Sequence, residues 1–171
     1  MSRSAGSGAG SALIQVAKLF HAQVITTVGD DWKAERARAL GADHVINYTK
    51  EDFAAAVKRI TEGMLADIAV DHIGADTFNK SLSCLKRGGS LVTFGATSGD
   101  EVSLSLRYVF GKNIRIHGVY VGPRAAMLQY LKLIPQTVRP VIDSVFEFND
   151  AQRAYERLLS RQFFGKIVVR V

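Results

Sequence analysis

Short apolar segments alternate with helical segments along most of this chain, and that alternation constrains the fold more than any other feature. Continuous apolar runs rich in Val and Ile predict five buried strands, at 23–28, 44–48, 66–73, 90–96 and 114–122. The connections between them have the composition of helices of about ten residues. This pattern implies right-handed βαβ units and a parallel sheet that helices cover on both faces.

Stop and start signals place the intervening helices. The helix formers of 32–40 end at Gly41, a usual C-terminal breaker. Further along, Asp76 is expected to cap a helix that runs through Leu85. The two glycines at 88–89 are then expected to turn the chain into the fourth strand.

The C-terminal part of the chain differs from the rest. After residue 134 the pattern predicts a strand in VRPVIDSVFEF, an amphipathic helix around 151–158 and a last strand in GKIVVRV. We therefore divide the chain into a sheet domain, 1–134, and an appended strand–helix–strand segment, 135–171.

A glycine-rich loop, SAGSGAGS at 4–11, leads directly into the first helix. Gly6, Gly8 and Gly10 allow the backbone to approach a pyrophosphate closely, and the helix N-terminus gives that anion a partial positive charge to meet. Such a loop normally follows a buried strand, yet only residues 1–3 precede it here. The pattern predicts a nucleotide-binding loop whose leading strand is missing.

Composition narrows the class of protein. The chain has 171 residues, 47% of them hydrophobic, and a formal charge of +6 that is scattered through helices of mixed sign, so we expect no nucleic-acid partner. Cys84 is the only cysteine, which excludes an internal disulfide and a cysteine-based zinc cluster and favours a reducing cytoplasm. No apolar run approaches the roughly 20 residues of a membrane helix, and the start lacks a signal peptide's apolar stretch.

Small and polar residues follow four of the predicted strands and should meet at one edge of the sheet. In parallel sheets, ligands bind beyond the carboxyl ends of the strands. The segments expected at this edge, together with the glycine loop, are 28–30, 71–74, 94–96 and 119–120.

Six segments carry a resemblance to a known family. In chain order they are GSGAGSALIQVAKLFHAQVITTV, ARALGADHVINY, DIAVDHIGADTFNKSL, RGGSLVTFGATSG, RPVIDSVFEFNDAQRAYERL and FGKIVVRV. Together they resemble the cofactor-binding domain and C-terminal segment of medium-chain dehydrogenases/reductases, nearest the quinone oxidoreductase-like and zinc-type alcohol dehydrogenase-like members. The resemblance implies a Rossmann-type, doubly wound parallel sheet that lacks its first strand. It also implies that the family's N-terminal catalytic domain is absent from this sequence. In relatives, the segment that corresponds to 135–171 packs on that domain.

The resemblance also implies a set of cofactor-binding residues and no catalytic ones. The pyrophosphate would be held by Gly8, Ala9, Gly10 and Ser11. The nicotinamide would be flanked by Phe94, Gly95, Val119 and Tyr120, with Asp71 and Ile73 on the same edge and Lys166 reaching the cofactor. The family's zinc ligands lie largely in the absent domain, and His72 and His117 stand on separate strands without further ligands at zinc spacing, so we expect no metal in this chain.

The identity of the dinucleotide depends on the end of the second strand of the family fold. NAD-preferring folds place an acid there, whereas Val28 occupies the position here, followed by Gly29. Lys33 and Arg36 stand where a 2′-phosphate would lie, and Tyr48 resembles the family's adenosine-side tyrosine. We therefore expect NADP(H) in preference to NAD(H).

Two alternatives stay open for these residues. Lys33 and Arg36 are equally consistent with solvated helix residues paired with neighbouring acids. Asp30 or Asp31 could still serve NAD by binding the ribose.

The expected function is hydride transfer between a nicotinamide cofactor and a carbonyl, alcohol, quinone or activated alkene in the complete enzyme. A non-catalytic nucleotide-binding fragment or a partner-dependent subunit is the alternative from another class. A methyltransferase that uses the loop for S-adenosylmethionine fits less well, because an acid would be expected at Val28 there too. The apolar strand at 114–122 should lie at the sheet edge and pair with its copy in a homodimer.

The missing strand has a structural consequence. In the strand order 3-2-1-4-5-6, strand 1 lies between 23–28 and 66–73, so its absence would leave backbone groups unpaired at the centre of the sheet. We expect either marginal stability or a substitute in that gap, supplied by one of the two C-terminal strands or by another subunit.

Overall fold

The computed structural model describes residues 1–133 and 138–171. The predicted division of the chain between residues 134 and 135 lies outside the described residues. The helices are α1 Gly8–Leu19, α2 Asp31–Ala39, α3 Phe53–Ile60, α4 Phe78–Ser83, α5 Leu106–Lys112, α6 Arg124–Leu133 and α7 Ala151–Leu159. The strands are β1 Ile25–Val28, β2 His44–Asn47, β3 Ala66–Asp71, β4 Leu85–Thr93, β5 Arg115–Gly118, β6 Ile142–Glu147 and β7 Lys166–Arg170.

All pairings between these strands are parallel. β1 pairs with β2, and β3, β4 and β5 pair in that order. Ser2 joins the two groups through parallel bridges to Thr26 of β1 and Val70 of β3. The order is therefore β2, β1, the N-terminal residues, β3, β4, β5, which confirms the predicted doubly wound sheet.

The N-terminal residues occupy part of the place that we expected to be empty. The Ser2 amide donates to the carbonyl of Ile25 at 2.8 Å, and the Val70 amide donates to the carbonyl of Met1 at 3.0 Å. Through these bonds the N-terminal residues close the half of the gap nearest the glycine loop. The expectation of a gap without any strand is wrong for that half.

The C-terminal segment forms the predicted strand, helix and strand, but not in the gap. β6 and β7 pair with each other, so the expectation that one of them replaces strand 1 is wrong. The segment docks on the glycine loop instead. The Gly165 amide donates to the carbonyl of Gly6 at 2.8 Å, and Phe164 is fully buried in a cluster with Ala5 and Ile14.

Three local expectations need correction. The glycines at 88–89 lie inside β4 rather than in a turn. They are next to the irregularity in the pairing with β3, where the register shifts between Ala66 and Ile68. Gly88 has a φ of 75°, which glycine adopts without strain at such an irregularity. The edge strand is Arg115–Gly118 and not 114–122, so Val119 and Tyr120 lie beyond it. Thr77, not Asp76, is the residue that precedes α4.

Cys84 is buried in an apolar cluster beneath Phe53, and its thiol donates to the carbonyl of Lys80. In the described part of the chain, no helix is both long and apolar enough to cross a bilayer. No bounds were predicted for helices α5 and α6, which follow β4 and β5 and present large apolar side chains to the surface.

Candidate cofactor site

The glycine loop ends in a capped helix N-terminus. Ser7 is the N-cap of α1, and its Oγ accepts a hydrogen bond from the Gly10 amide at 2.9 Å. Gly10 is required sterically, since a Cβ placed on it would lie 2.0 Å from the carbonyl oxygen of Ser4. The first turn of α1 is therefore held against the loop, with the positive end of the helix dipole at the edge of the sheet.

Lys166 covers the start of the same helix. A Cβ on Gly8 would lie 2.1 Å from Cε of Lys166 and 2.8 Å from its Nζ, so the lysine side chain crosses the loop directly over that glycine. Within residues 1–133 and 138–171, no hydrogen bond or ion pair occupies this ammonium group. A helix N-terminus and an unpaired ammonium group together form a site for an anion.

Asp143, which was not among the predicted site residues, holds the backbone just before Lys166. Its Oδ1 accepts a hydrogen bond from the Phe164 amide at 3.0 Å, and its carboxylate is paired with Arg157. The Asp143 side chain is 3% exposed. Its only sequence signal was a single acid among apolar residues of a predicted strand, which did not reveal a partner 21 positions away.

The β1–α2 turn forms the next part of the edge. Val28 is buried at the end of β1, and a Cβ on Gly29 would lie 2.7 Å from the Tyr48 hydroxyl. Tyr48 itself is about half exposed. Glycine thus leaves room for an aromatic ring whose outer face is open to solvent.

The two basic residues of α2 are engaged with the C-terminal segment. Lys33 Nζ donates to the carbonyl of Arg161 at 2.6 Å and lies 3.6 Å from the carboxylate of Asp30. Arg36 lies 3.9 Å from the carboxylate of Asp143. In this conformation both point towards the tail, so the sequence-based placement of a 2′-phosphate beside them requires Lys33 to change its partner.

Asp71 is buried at the end of β3 and fully engaged. Its carboxylate accepts hydrogen bonds from the amides of Ile73 and Gly74 and from the hydroxyls of Thr77 and Ser81. It therefore fixes the turn that brings Ile73 to the edge of the sheet. The structure gives it a positioning role in this turn.

The part of this edge where β4 and β5 end is more exposed to solvent. The rings of His72 and Phe94 stack with centroids 5.2 Å apart, and a Cβ on Gly95 would lie 3.0 Å from the carbonyl of His72. Burial lowers the pKa of His72. The side chains of Val119 and Tyr120 are 52% and 92% exposed, so nothing in the described residues covers them.

The predicted cofactor-binding residues thus form three sets along the edge of the sheet. The loop residues Gly8, Ala9, Gly10 and Ser11 lie together with Lys166, and Gly29 lies with Tyr48. Ile73, Phe94, Gly95, Val119 and Tyr120 line the opposite end. Among the residues described, no group of three or more His, Cys, Asp or Glu side chains could hold a metal ion.

Comparison with known proteins decides the family. The model of the family described as zinc-binding dehydrogenase matches residues 8–136. The chain belongs to this family. It is thereby a member of the medium-chain dehydrogenase/reductase superfamily, as its sequence segments predicted.

Individual relatives are similar over almost the whole chain. A 2-haloacrylate reductase from a Burkholderia species is 33% identical over 96% of this chain, and quinone oxidoreductase 1 of Escherichia coli K12 is 33% identical over 94%. In each case the chain spans 53% of the relative. The chain therefore spans about half the length of the curated relatives it matches.

Solved structures agree with the fold. The E. coli quinone oxidoreductase complexed with NADPH matches 99% of this chain with a TM-score of 0.81 and 32% identity. An NAD-dependent alcohol dehydrogenase matches 99% with a TM-score of 0.88 and 37% identity. The chain covers 56% and 50% of these structures, respectively.

Proposed function

We propose that this chain binds a nicotinamide dinucleotide and serves as the cofactor-binding half of an oxidoreductase. The observation that carries the proposal is the anion site at the start of α1, where Lys166 lies over Gly8. In this proposal residues 1–134 hold the dinucleotide and residues 135–171 contribute the lysine and contacts to the rest of the enzyme. The single, buried thiol fits a reducing cytoplasm.

The diphosphate fits the glycine-loop end of the site. In this proposal Gly8, Ala9, Gly10 and Ser11 form the helix N-terminus that faces the diphosphate, and Lys166 supplies a full positive charge. The amides of Gly10 and Ser11 donate to the side chain and the carbonyl of Ser7, so the amides of Gly8 and Ala9 are the ones proposed to meet the anion. The adenosine then extends towards Gly29 and Tyr48, where the glycine leaves room beside the tyrosine ring. Ile73, Phe94, Gly95, Val119 and Tyr120 remain for the nicotinamide end.

NADP(H) is the preferred dinucleotide in this proposal. Val28 ends β1 where NAD-binding folds carry an acid, and the similar quinone oxidoreductase of E. coli is complexed with NADPH. Lys33 would turn from the Arg161 carbonyl to the 2′-phosphate. NAD(H) is the second candidate, because Asp30 and Asp31 begin α2 and a similar alcohol dehydrogenase is NAD-dependent.

The bound cofactor supplies or accepts the hydride, and the substrate of the complete enzyme would be a carbonyl, alcohol, quinone or activated alkene. In this proposal the chain orients the dinucleotide and holds its nicotinamide end at the edge of the sheet where β4 and β5 end. Hydride transfer also needs the substrate to be held close and shielded from water, which the exposed Val119 and Tyr120 do not provide. We therefore expect the chain to turn over substrate only with a further domain or partner.

We also propose that two copies associate through the sheet edge. β5 is the last strand of its sheet, and α6, which follows it in the chain, exposes large apolar side chains, including Met127, Leu128 and Leu131. Such an edge pairs readily with a second strand. A monomer at tens of micromolar in light scattering would contradict this arrangement, as would a Val119→Lys variant that leaves a dimer intact.

Calorimetric titration of the chain with NADPH, NADH and S-adenosylmethionine tests the cofactor proposal. We expect saturable binding of NADPH, weaker binding of NADH and none of S-adenosylmethionine. Saturation by S-adenosylmethionine alone would replace the oxidoreductase by a methyltransferase. Equal affinities for the two nicotinamide dinucleotides would overturn the NADP preference while leaving the site in place.

A further inference from the structure

Asp143 is a buried acid in the C-terminal segment. It lies in β6, where its side chain is almost completely shielded from solvent. Burial of a carboxylate is costly unless hydrogen bonds and opposite charges compensate for the water that it loses. The groups that bind this carboxylate therefore indicate what it does in the fold.

The partners of Asp143 come from three different parts of the chain. Its Oδ1 accepts a hydrogen bond from the Phe164 amide at 3.0 Å, in the turn before β7. Its Oδ2 accepts one from Nε of Arg157 on α7 at 3.1 Å, and Nη1 of Arg36 on α2 lies 3.9 Å from Oδ1. Burial on its own would raise the pKa of Asp143, but the hydrogen bonds from Phe164 and Arg157 outweigh it and lower the pKa. The charged carboxylate thus joins β6 to the turn, to α7 and to α2.

Three consecutive backbone amides hold the turn that Asp143 contacts. The amides of residues 164–166 donate, in order, to Oδ1 of Asp143, the carbonyl of Gly6 and the carbonyl of Val141, at 3.0, 2.8 and 2.8 Å. The middle bond docks the turn on the glycine loop. The acceptor of the first bond is the only one of the three that belongs to a side chain, so a substitution can remove it without altering the backbone.

The turn contains a glycine whose conformation its neighbours must fix. Gly165 has a φ of 106°, and a Cβ on it would lie 2.3 Å from the carbonyl oxygen of Val141. Glycine has access to many backbone conformations, so this one persists only where the flanking residues are held. Phe164 is held on one side of Gly165 by its buried ring and by the bond of its amide to Asp143.

Lys166 takes its direction from this turn. Its side chain crosses over Gly8, at the start of α1. A turn that sampled other conformations would carry the ammonium group away from the loop for part of the time. The apparent affinity for an anion falls in proportion to the fraction of molecules in which the ammonium group is in place. An acid that does not touch the anion can thus determine how tightly the anion binds.

We propose that Asp143 is a positioning residue for the candidate cofactor site. By accepting the Phe164 amide, it fixes the turn that places Lys166 over the start of α1, and it thereby sets the affinity for the diphosphate. The inference rests on the proposed function, because it takes a dinucleotide as the anion that Lys166 meets. Its structural half, that Asp143 fixes the turn, is independent of the ligand.

A double-mutant cycle tests whether Asp143 acts through Lys166. NADPH is titrated calorimetrically into the unaltered chain, Asp143→Ala, Lys166→Ala and the double variant. We expect about fivefold weaker binding in Asp143→Ala, about tenfold in Lys166→Ala and no further loss in the double variant, because the position of an absent ammonium group has no effect. Losses that multiply to about fiftyfold in the double variant, or an unaltered affinity in Asp143→Ala, would overturn the proposal.

Two further variants separate positioning from a general loss of stability. Asp143→Asn keeps an oxygen that can accept the Phe164 amide and should retain most of the affinity for NADPH. An affinity as low as that of Asp143→Ala would contradict a role through that bond. Glu147→Ala removes the other acid of β6, which is exposed and paired with Arg170, and should leave binding unchanged. An equal loss in Glu147→Ala and Asp143→Ala would overturn the proposal.

Amide hydrogen exchange without ligand tests the turn by itself. Asp143→Ala should speed the exchange of the Gly165 amide, which donates to Gly6, by about tenfold and leave β3 and β4 unchanged. Unchanged exchange at Gly165 would overturn the proposal. If circular dichroism shows that Asp143→Ala is unfolded, Asp143→Leu, which fills the space without an acceptor, replaces it in both experiments. If the unaltered chain binds neither NADPH nor NADH, the proposed function fails, and exchange at Gly165 alone decides whether Asp143 fixes the turn.

Discussion

The two ends of the candidate cofactor site differ in how completely this chain builds them. At the glycine-loop end, Gly10 is buried against the Ser4 carbonyl, and Phe164 beneath the loop has no exposed surface. At the nicotinamide end, Phe94, Val119 and Tyr120 are 39%, 52% and 92% exposed. The first end is fixed by contacts within the chain, whereas no residue that the structure describes covers the second.

This difference indicates which parts of cofactor and substrate binding the chain supplies by itself and which need a second surface. Anion recognition needs backbone amides in a fixed position, and the tail supplies that rigidity by docking β7 onto the loop. Substrate recognition needs an enclosed, dry space, which exposed apolar side chains acquire only against another surface. The chain is therefore expected to bind the dinucleotide alone and to need a second surface for chemistry.

The largest expected effect comes from a methyl group at the fixed end. Gly10→Ala should lower the free energy of unfolding by about 2–4 kcal/mol, because its Cβ would overlap backbone atoms of Ser4 that cannot move aside cheaply. The matched control is Gly111→Ala in α5, where a Cβ meets no atom within 4 Å. There the same change should stabilise by about 0.5–1 kcal/mol. Urea denaturation measures both, and equal effects would contradict the packing described for the loop.

Removal of the charge over the loop should have the next largest effect. Lys166→Ala should weaken the binding of NADPH and NADH alike by about tenfold, since both carry the diphosphate that the ammonium meets. Arg170→Ala, on the same strand but paired with Glu147 at the surface, should leave both affinities unchanged. Calorimetric titration of the two variants provides the measurement. An unaltered affinity in Lys166→Ala would remove the lysine from the site.

A smaller effect should separate the two dinucleotides. Lys33→Ala should reduce the affinity for NADPH several-fold and leave that for NADH unchanged, if the lysine exchanges the Arg161 carbonyl for the 2′-phosphate. Lys58→Ala on α3 is the control for the loss of a surface charge. Competition binding with both dinucleotides checks the result. An equal loss for both would show that Lys33 acts only by holding the tail.

The smallest expected effect is a pH dependence at the open end. Burial lowers the pKa of His72 below its ordinary value of about 6.5, so the folded state binds fewer protons than the unfolded state just below that pH. Its contribution to stability is complete above about pH 6.5 and is lost as the pH falls towards the folded pKa. Thermal melts between pH 7.5 and 5 should show a shallower loss of stability in His72→Gln than in the unaltered chain. Identical slopes would contradict the burial of this ring.

The order of strands and helices was predictable because it depends on local patterns. Apolar runs of Val and Ile, glycine stops and the glycine loop are each read within a few residues. Gly88 shows where this fails: glycine favours both a turn and an irregularity inside a strand, and only the pairing with β3 decides between them. The length of β5 was overestimated for a similar reason. The Val119 amide still donates to the carbonyl of Thr93 at 2.8 Å, but β4 ends at Thr93 and offers the later apolar residues no partner.

The candidate site was predictable in its residues more than in their partners. The capped glycine loop is local, and the structure has it as the sequence indicated. Lys33 lies 128 positions from the carbonyl that it contacts, and no pattern within α2 reveals that contact. Arg3 likewise stands before the loop as an ordinary basic residue, yet it is buried with its guanidinium 3.7 Å from the centre of the Phe53 ring.

The central claim is that the chain holds a nicotinamide dinucleotide by its diphosphate at the start of α1. Titration of the isotopically labelled chain with NADPH, followed by amide chemical shifts, tests it most directly. The account predicts saturable shifts that are largest at Gly8, Gly10, Gly29 and Lys166, with Tyr120 little affected. It would be contradicted by the absence of saturable shifts, or by shifts confined to residues 23–25 and 66–68, away from the start of α1.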